Sequence, residues 1–249
     1  MKDIFLEVSG EPFIAYGTSH LTALLIYFLG AAALPFLCKK LHKHSIFYNT
    51  IRWSLFSLLV LSEVSYQTYT ALNGIWSLGD HMFLHLCGVA GITGAIALIN
   101  HNKRLIQITF FIGLVPSFLA LATPELLYDF PHYRYLKFFI HHITISWTSI
   151  FLVASNHVTI TFQSLFKTYG YLLIYAAVIG FLVNPFLNSN YLYLSHTPTA
   201  STPLDLLGSG IWYYVNLSIL AFIVFLVQYL VYRLITRKKF ENRDRLMNT

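Results

Sequence analysis

The chain has 249 residues, of which 56% are hydrophobic, 17% aromatic and only 10% charged, with a mean hydropathy of +0.61. Soluble domains carry about 25% charged residues, and disordered chains are poor in aromatics and rich in charge, so both classes are excluded. The excess of basic over acidic residues, 16 against 10, leaves a nucleic-acid or a membrane partner open until its distribution is read.

Apolar runs of about 20 residues match a hydrocarbon core about 30 Å thick, and seven occur in chain order. The first, His20–Cys38, stops at Lys39 and Lys40. The second, Ile51–Leu72, carries Glu63, Tyr66 and Gln67 at mid-depth. The third, Gly79–Ile99, holds His81, His85 and Cys87. The fourth, Leu105–Thr123, contains Pro116, which membrane helices tolerate as a kink. The fifth, Leu136–Ala154, contains His141 and His142. The sixth, Tyr169–Pro185, runs into Asn184-Pro-Phe-Leu-Asn-Ser-Asn190, a stretch expected to break it. The seventh is Ile211–Ile235.

The expected fold class is therefore all-α: one polytopic domain over 1–249 with seven transmembrane helices, an extracytoplasmic segment 1–19 and a basic cytoplasmic tail 236–249. Orientation follows the Lys and Arg bias of short loops. With the N-terminus outside, thirteen basic residues, including Lys43 and the tail, are cytoplasmic, and Lys2, Arg134 and Lys137 are not. The basic charge is thus topological, no nucleic-acid partner is expected, and the place is the cell membrane. No secretory signal is visible in the first residues.

Ionisable side chains in hydrocarbon are expensive and usually face the bundle interior. Counted along their helices at 1.5 Å per residue, Cys87 and His142 both fall ~9 Å inside the outer ends. Glu63 and Gln67 lie in the outer half of the second run, and Asn184 and Asn190 at the outer end of the sixth. A thiol and an imidazole at one depth suggest a nucleophile with its base, against the plainer alternative of a small core cysteine. On a helix, His85 and Cys87 would point ~200° apart, so the base must come from another element. Cys87, Gly91 and Gly94 share a face that admits a close neighbour. His81 and His85, four apart, could join a histidine of the fifth run around zinc, although no metal or other cofactor is expected. Glu63 could orient a histidine, and Cys38 is expected to be inert.

Several stretches taken together resemble the bacterial YwaF-type integral membrane proteins. They are His20-Leu21, Glu63, Phe83-Leu-His-Leu-Cys87, Thr123 to Tyr133, Phe138-Phe-Ile-His-His142, Asn184, Asn190-Tyr-Leu-Tyr-Leu194 and Leu204-Asp-Leu-Leu-Gly208. Relatives of that family include a eukaryotic membrane acyltransferase that moves fatty-acyl chains between phospholipids, with a Cys and a His on separate helices. More distant ones are Thr/His lipid hydrolases of the androgen-induced-gene type. The resemblance implies a lipid acyltransferase using Cys87 and His142, with Glu63, His85, His141, Asn184, Asn190 and Tyr191 supporting or binding substrate. Its partners would be a phospholipid acyl donor and a lyso-lipid or other hydroxyl acceptor. A lipid hydrolase and a non-enzymatic seven-helix transporter or receptor remain the alternatives. The chain departs from the family pattern at Gly88, where an acidic residue is frequent, at Thr197-Pro198, and at Gly208-Ser-Gly-Ile-Trp-Tyr213.

Overall fold

The computed structural model describes residues 10–40, 45–156, 158–198 and 202–247. Lys2 and Lys43 lie outside these residues, as do residues 1–9 of segment 1–19, the end of the tail, and the side chains beyond Thr236. The described chain is all helical apart from turns and one isolated antiparallel bridge, Pro12 to Tyr128. Its helices are α1 (Thr18–Lys40), α2 (Ile46–Leu72), α3 (Leu86–Asn100), α4 (Lys103–Ala122), α5 (Tyr133–Asn156), α6 (Phe162–Val178), the single turn α7 (Asn184–Leu187) and α8 (Ile211–Met247).

Among the described residues, five stretches are long and apolar enough to cross a membrane: Thr18–Cys38, Lys103–Ala122, Tyr133–Asn156, Phe162–Leu187 and Ile211–Thr236. Two of the seven expected spans do not meet that measure. The 27 residues of α2 provide length, but its serines, threonines, Glu63 and Gln67 dilute its apolar character. The third span is corrected more sharply, because α3 has only 15 residues and begins at Leu86. At 1.5 Å per residue it covers ~22 Å, short of a hydrocarbon core. The preceding stretch from Gly79 is turns and bends. Pro185, which lacks an N–H, does not end the sixth run outright. The chain widens into a π turn at Ile179–Val183 and continues through α7.

The bundle is organised around α5, which packs against α1, α2, α3 and α4. Small and hydroxyl side chains let the backbones approach, as expected where lipid offers no competing hydrophobic drive. A Cβ on Gly30 would fall 2.0 Å from Cζ2 of Trp147, and one on Gly94 3.2 Å from Cγ2 of Thr148. On the other flank α8 packs against α6 and α4, and buried Gln228 donates to the Phe110 carbonyl. Helix ends are tied by side chains from elsewhere. The buried His20 ring accepts from the Tyr16 amide at 2.9 Å, so its Nε2–H donates to the Leu121 carbonyl at 2.8 Å. Arg52 donates to the carbonyls of Leu98 and Ile99 at the end of α3, where the helix dipole favours a cation.

Candidate functional site

Relative heights come from pairs in contact. A Cβ on Gly91 of α3 would meet the His141 ring of α5 at 3.2 Å, and one on Gly94 meets Thr148, so the two helices run in the same direction. One turn toward the N-terminus from Gly91 is Cys87, and one turn toward the N-terminus from His141 is Lys137. Antiparallel α2 contributes Ser62, 2.7 Å from His141, and Glu63, 3.7 Å from Lys137. Cys87, Glu63, Lys137, His141 and His142 are therefore gathered at one end of the bundle.

The level is shared for a reason other than the one expected. His142 lies nine residues into α5, or ~14 Å along it, whereas Cys87 is only the second residue of α3. The turns before Leu86 carry the chain inward before α3 starts. Cys87 consequently occupies a first helical turn, whose amides have no intrahelical acceptors. Its thiol lies against the amides of Cys87 and Gly88, at the helix end that favours negative charge. The side chain is half-buried and packs on the main apolar core, and it is a free cysteine. Gly88 is needed in this turn because a Cβ there would fall 2.5 Å from the Phe83 carbonyl oxygen. An acidic residue at that position would displace the backbone leading into Cys87. Cys38, also free, is 5% exposed inside the same apolar cluster.

Both histidines are buried, with ring centroids 6.0 Å apart and planes at 89°. His142 Nδ1 donates to the Phe138 carbonyl at 2.8 Å. That bond assigns the tautomer and leaves Nε2 with a lone pair. Ser62 Oγ hydrogen-bonds the Leu59 carbonyl at 3.0 Å and His141 Nδ1 at 2.7 Å. Nε2 of His141 is buried, and the ring lies against the Cys87 backbone.

His85 is the cap residue of α3, with extended backbone, so neither the 200° argument nor a shared helical face with His81 applies. The zinc reading loses its spacing, and no three His, Cys, Asp or Glu residues are grouped to hold a metal among the described residues. The His85 ring instead meets Tyr191 and Tyr193 at centroid distances of 5.2 and 5.4 Å. Tyr193 donates to Glu125 Oε2 at 2.6 Å. Burial, then the Glu125 carboxylate, pushes its phenol above the ordinary range, so it stays a donor at neutral pH.

Asn184 opens α7 and Asn190 lies in the loop after it, and the side-chain amides of both are engaged with that loop. Asn184 is 3% exposed, donates to the Tyr191 carbonyl, and accepts from the Tyr191 amide and from Ser189 Oγ, all between 2.9 and 3.0 Å. Asn190 holds the His196 backbone and ring and the Ser195 amide. Tyr191, fully buried, donates to the Leu78 carbonyl at 2.6 Å and accepts from the Met82 amide at 3.0 Å. From α6, Tyr175 donates to the Leu84 carbonyl at 2.7 Å. These residues anchor the non-helical stretch that delivers Cys87. Ser62, Lys137, Tyr175 and Tyr193 were missed by the sequence reading. The signal for Lys137 was its place four residues before His141.

Compared with known proteins, the chain matches the family model described as the TMEM164 family over residues 15–229. No curated protein and no solved structure matches it.

Proposed function

Starting from a chain that belongs to the TMEM164 family, a transmembrane protein family, we propose a membrane-embedded lipid acyltransferase working through a thioester on Cys87. The observation that carries this reading is a free thiol in the first turn of α3, with the His141 ring against the Cys87 backbone and the adjacent His142 buried with its tautomer set by the Phe138 carbonyl. The narrower YwaF-type likeness supports the same assignment, and the seven-pass, N-out arrangement in the cell membrane belongs to this proposal.

In the first half-reaction His142 Nε2 takes the Cys87 proton, and sulfur attacks the carbonyl carbon of a phospholipid ester. The S–C bond forms, the ester C–O bond breaks, and His142 returns the proton to the departing lyso-lipid oxygen. In the second, an acceptor hydroxyl loses its proton to His142 and attacks the thioester, and the thiolate leaves and is reprotonated. First-turn amides of α3 and the His85 ring are the groups at hand for the oxyanion. Asn184 and Asn190, engaged in their loop, act by holding it. Among the described residues the Cys87 thiol makes no hydrogen bond to either histidine, although the His141 ring lies against the Cys87 backbone, and such contacts commonly tighten only with substrate in place.

Intact-protein mass spectrometry after incubation with phospholipid tests the reading. The wild type gains one acyl mass; Cys87→Ala gains none, and His142→Ala gains it about 100-fold or more slowly. An adduct that persists in Cys87→Ala refutes the nucleophile. Normal acylation in His142→Ala with loss in His141→Ala moves the base to the neighbouring ring. Transfer of the acyl mass to added lyso-lipid, instead of release as fatty acid, separates transferase from hydrolase.

A further inference from the structure

Lys137 is an ammonium built into a membrane-crossing helix, where charge is costly and usually functional. Its nitrogen is 3.7 Å from Glu63 Oε2 and 4.3 Å from the Tyr66 ring centroid. Those distances make an ion pair and a cation–π contact, but no hydrogen bond. An ammonium has three N–H donors, and among the described residues none of them has an acceptor. The carboxylate opposite is held back: Glu63 Oε1 accepts from Gln67 Nε2 at 2.7 Å, and Gln67 also bonds the His81 carbonyl and Trp76 Nε1 at 2.7 Å. The side chain of Lys137 is 18% exposed, so the donors are reachable from outside the bundle. Its height matches Cys87, and its charge reaches the Cys87 thiol and the rings of His85, His141 and His142.

A fixed, accessible cation with unspent donors beside a thiol is a receptor for a tetrahedral oxyanion. We propose that Lys137, braced by Glu63 and Tyr66, binds the headgroup phosphate of the lipid whose ester lies against Cys87. This rests on the lipid reading of the same site and adds the feature by which the lipid is chosen. The phosphate sits a few bonds from the glycerol esters, so gripping it at the level of Cys87 presents an ester carbonyl to sulfur. An acyl donor without phosphate would lack that grip.

Native mass spectrometry of the full chain in detergent, offered phosphatidylcholine and diacylglycerol with the same acyl chains, reads binding without requiring turnover. Wild type and Lys137→Arg retain phosphatidylcholine in preference to diacylglycerol, and Lys137→Met loses that preference by about tenfold or more. Because Lys137→Met strands the Glu63 carboxylate, which is itself destabilising, the double variant Glu63→Met with Lys137→Met removes both charges, and it also lacks the preference. Preference in wild type equal to that of Lys137→Met overturns the proposal, as does its return in the double variant. Inorganic phosphate retained by the wild type with no preference between the two lipids assigns the site to a free anion and overturns the lipid claim. Lys137-dependent retention without any acyl mass on Cys87 refutes the acyltransfer reading while the phosphate site stands.

Discussion

Tyr191 shows how a buried side chain serves a site that it does not touch. Its hydroxyl bridges the Leu78 carbonyl and the Met82 amide, and its own backbone hangs on the Asn184 amide group. Asn184→Ala would leave the Tyr191 N–H without its acceptor, at a cost of about 1–3 kcal/mol. The loss should be confined to the stretch that Tyr191 anchors and the start of α3, because among the described residues α4 and α5 make no bond to the Asn184 amide group. Amide exchange should therefore quicken at Tyr191 and Met82, whose N–H groups depend on the hook, and stay unchanged in α4 and α5. Unaltered exchange at Tyr191 and Met82 would show that the hook does not hold that stretch. The sequence marked Asn184 and Tyr191 as polar residues near a site, which was informative. It did not show that the Asn184 amide was already committed, since its partners depend on the loop folding back.

Among elements, α1 and α5 approach closely at Gly30. Gly30 faces the Trp147 ring, and the indole N–H donates to the Tyr27 carbonyl at 3.1 Å, so the ring cannot swing aside freely. Gly30→Ala should destabilise by about 1–3 kcal/mol or more through overpacking. In a Trp147→Phe background the same substitution should cost clearly less, because contacting residues are not additive. Thermal unfolding in detergent measures both, and equal costs in the two backgrounds would exclude the ring as the obstacle. Gly30 was not singled out in the sequence, whereas Cys87, Gly91 and Gly94 were, through their common helical face. Gly91 and Gly94 do admit a neighbour, the His141 ring and Thr148. The start of α3 was misjudged by seven residues, Gly79 against Leu86, because an apolar run reads alike whether coiled or folded into turns.

For the whole molecule, charge asymmetry remains the argument for orientation. Lys103, Arg104, Lys167 and the basic end of α8 fall at helix ends opposite to Lys137 and Arg134 along the chain's alternating path. The positive-inside rule predicts a cytoplasmic tail. Protease added to sealed right-side-out vesicles should spare it, and protease added to inverted vesicles should remove it. Cleavage from the outer side would reverse the orientation and place Cys87 in the other leaflet.

Composition and apolar run length determined that this chain is helical and inserts in a membrane, because each residue's preference for hydrocarbon is a local property that needs no partner. The same locality made Cys87 and His142 visible as rare polar groups in apolar runs. Only the tertiary structure decided the short reach of α3, the engagement of Asn184 and Asn190 in their loop, and the place of Lys137 beside the thiol. Those facts depend on contacts between residues tens of positions apart, and no periodicity within a single run carries them.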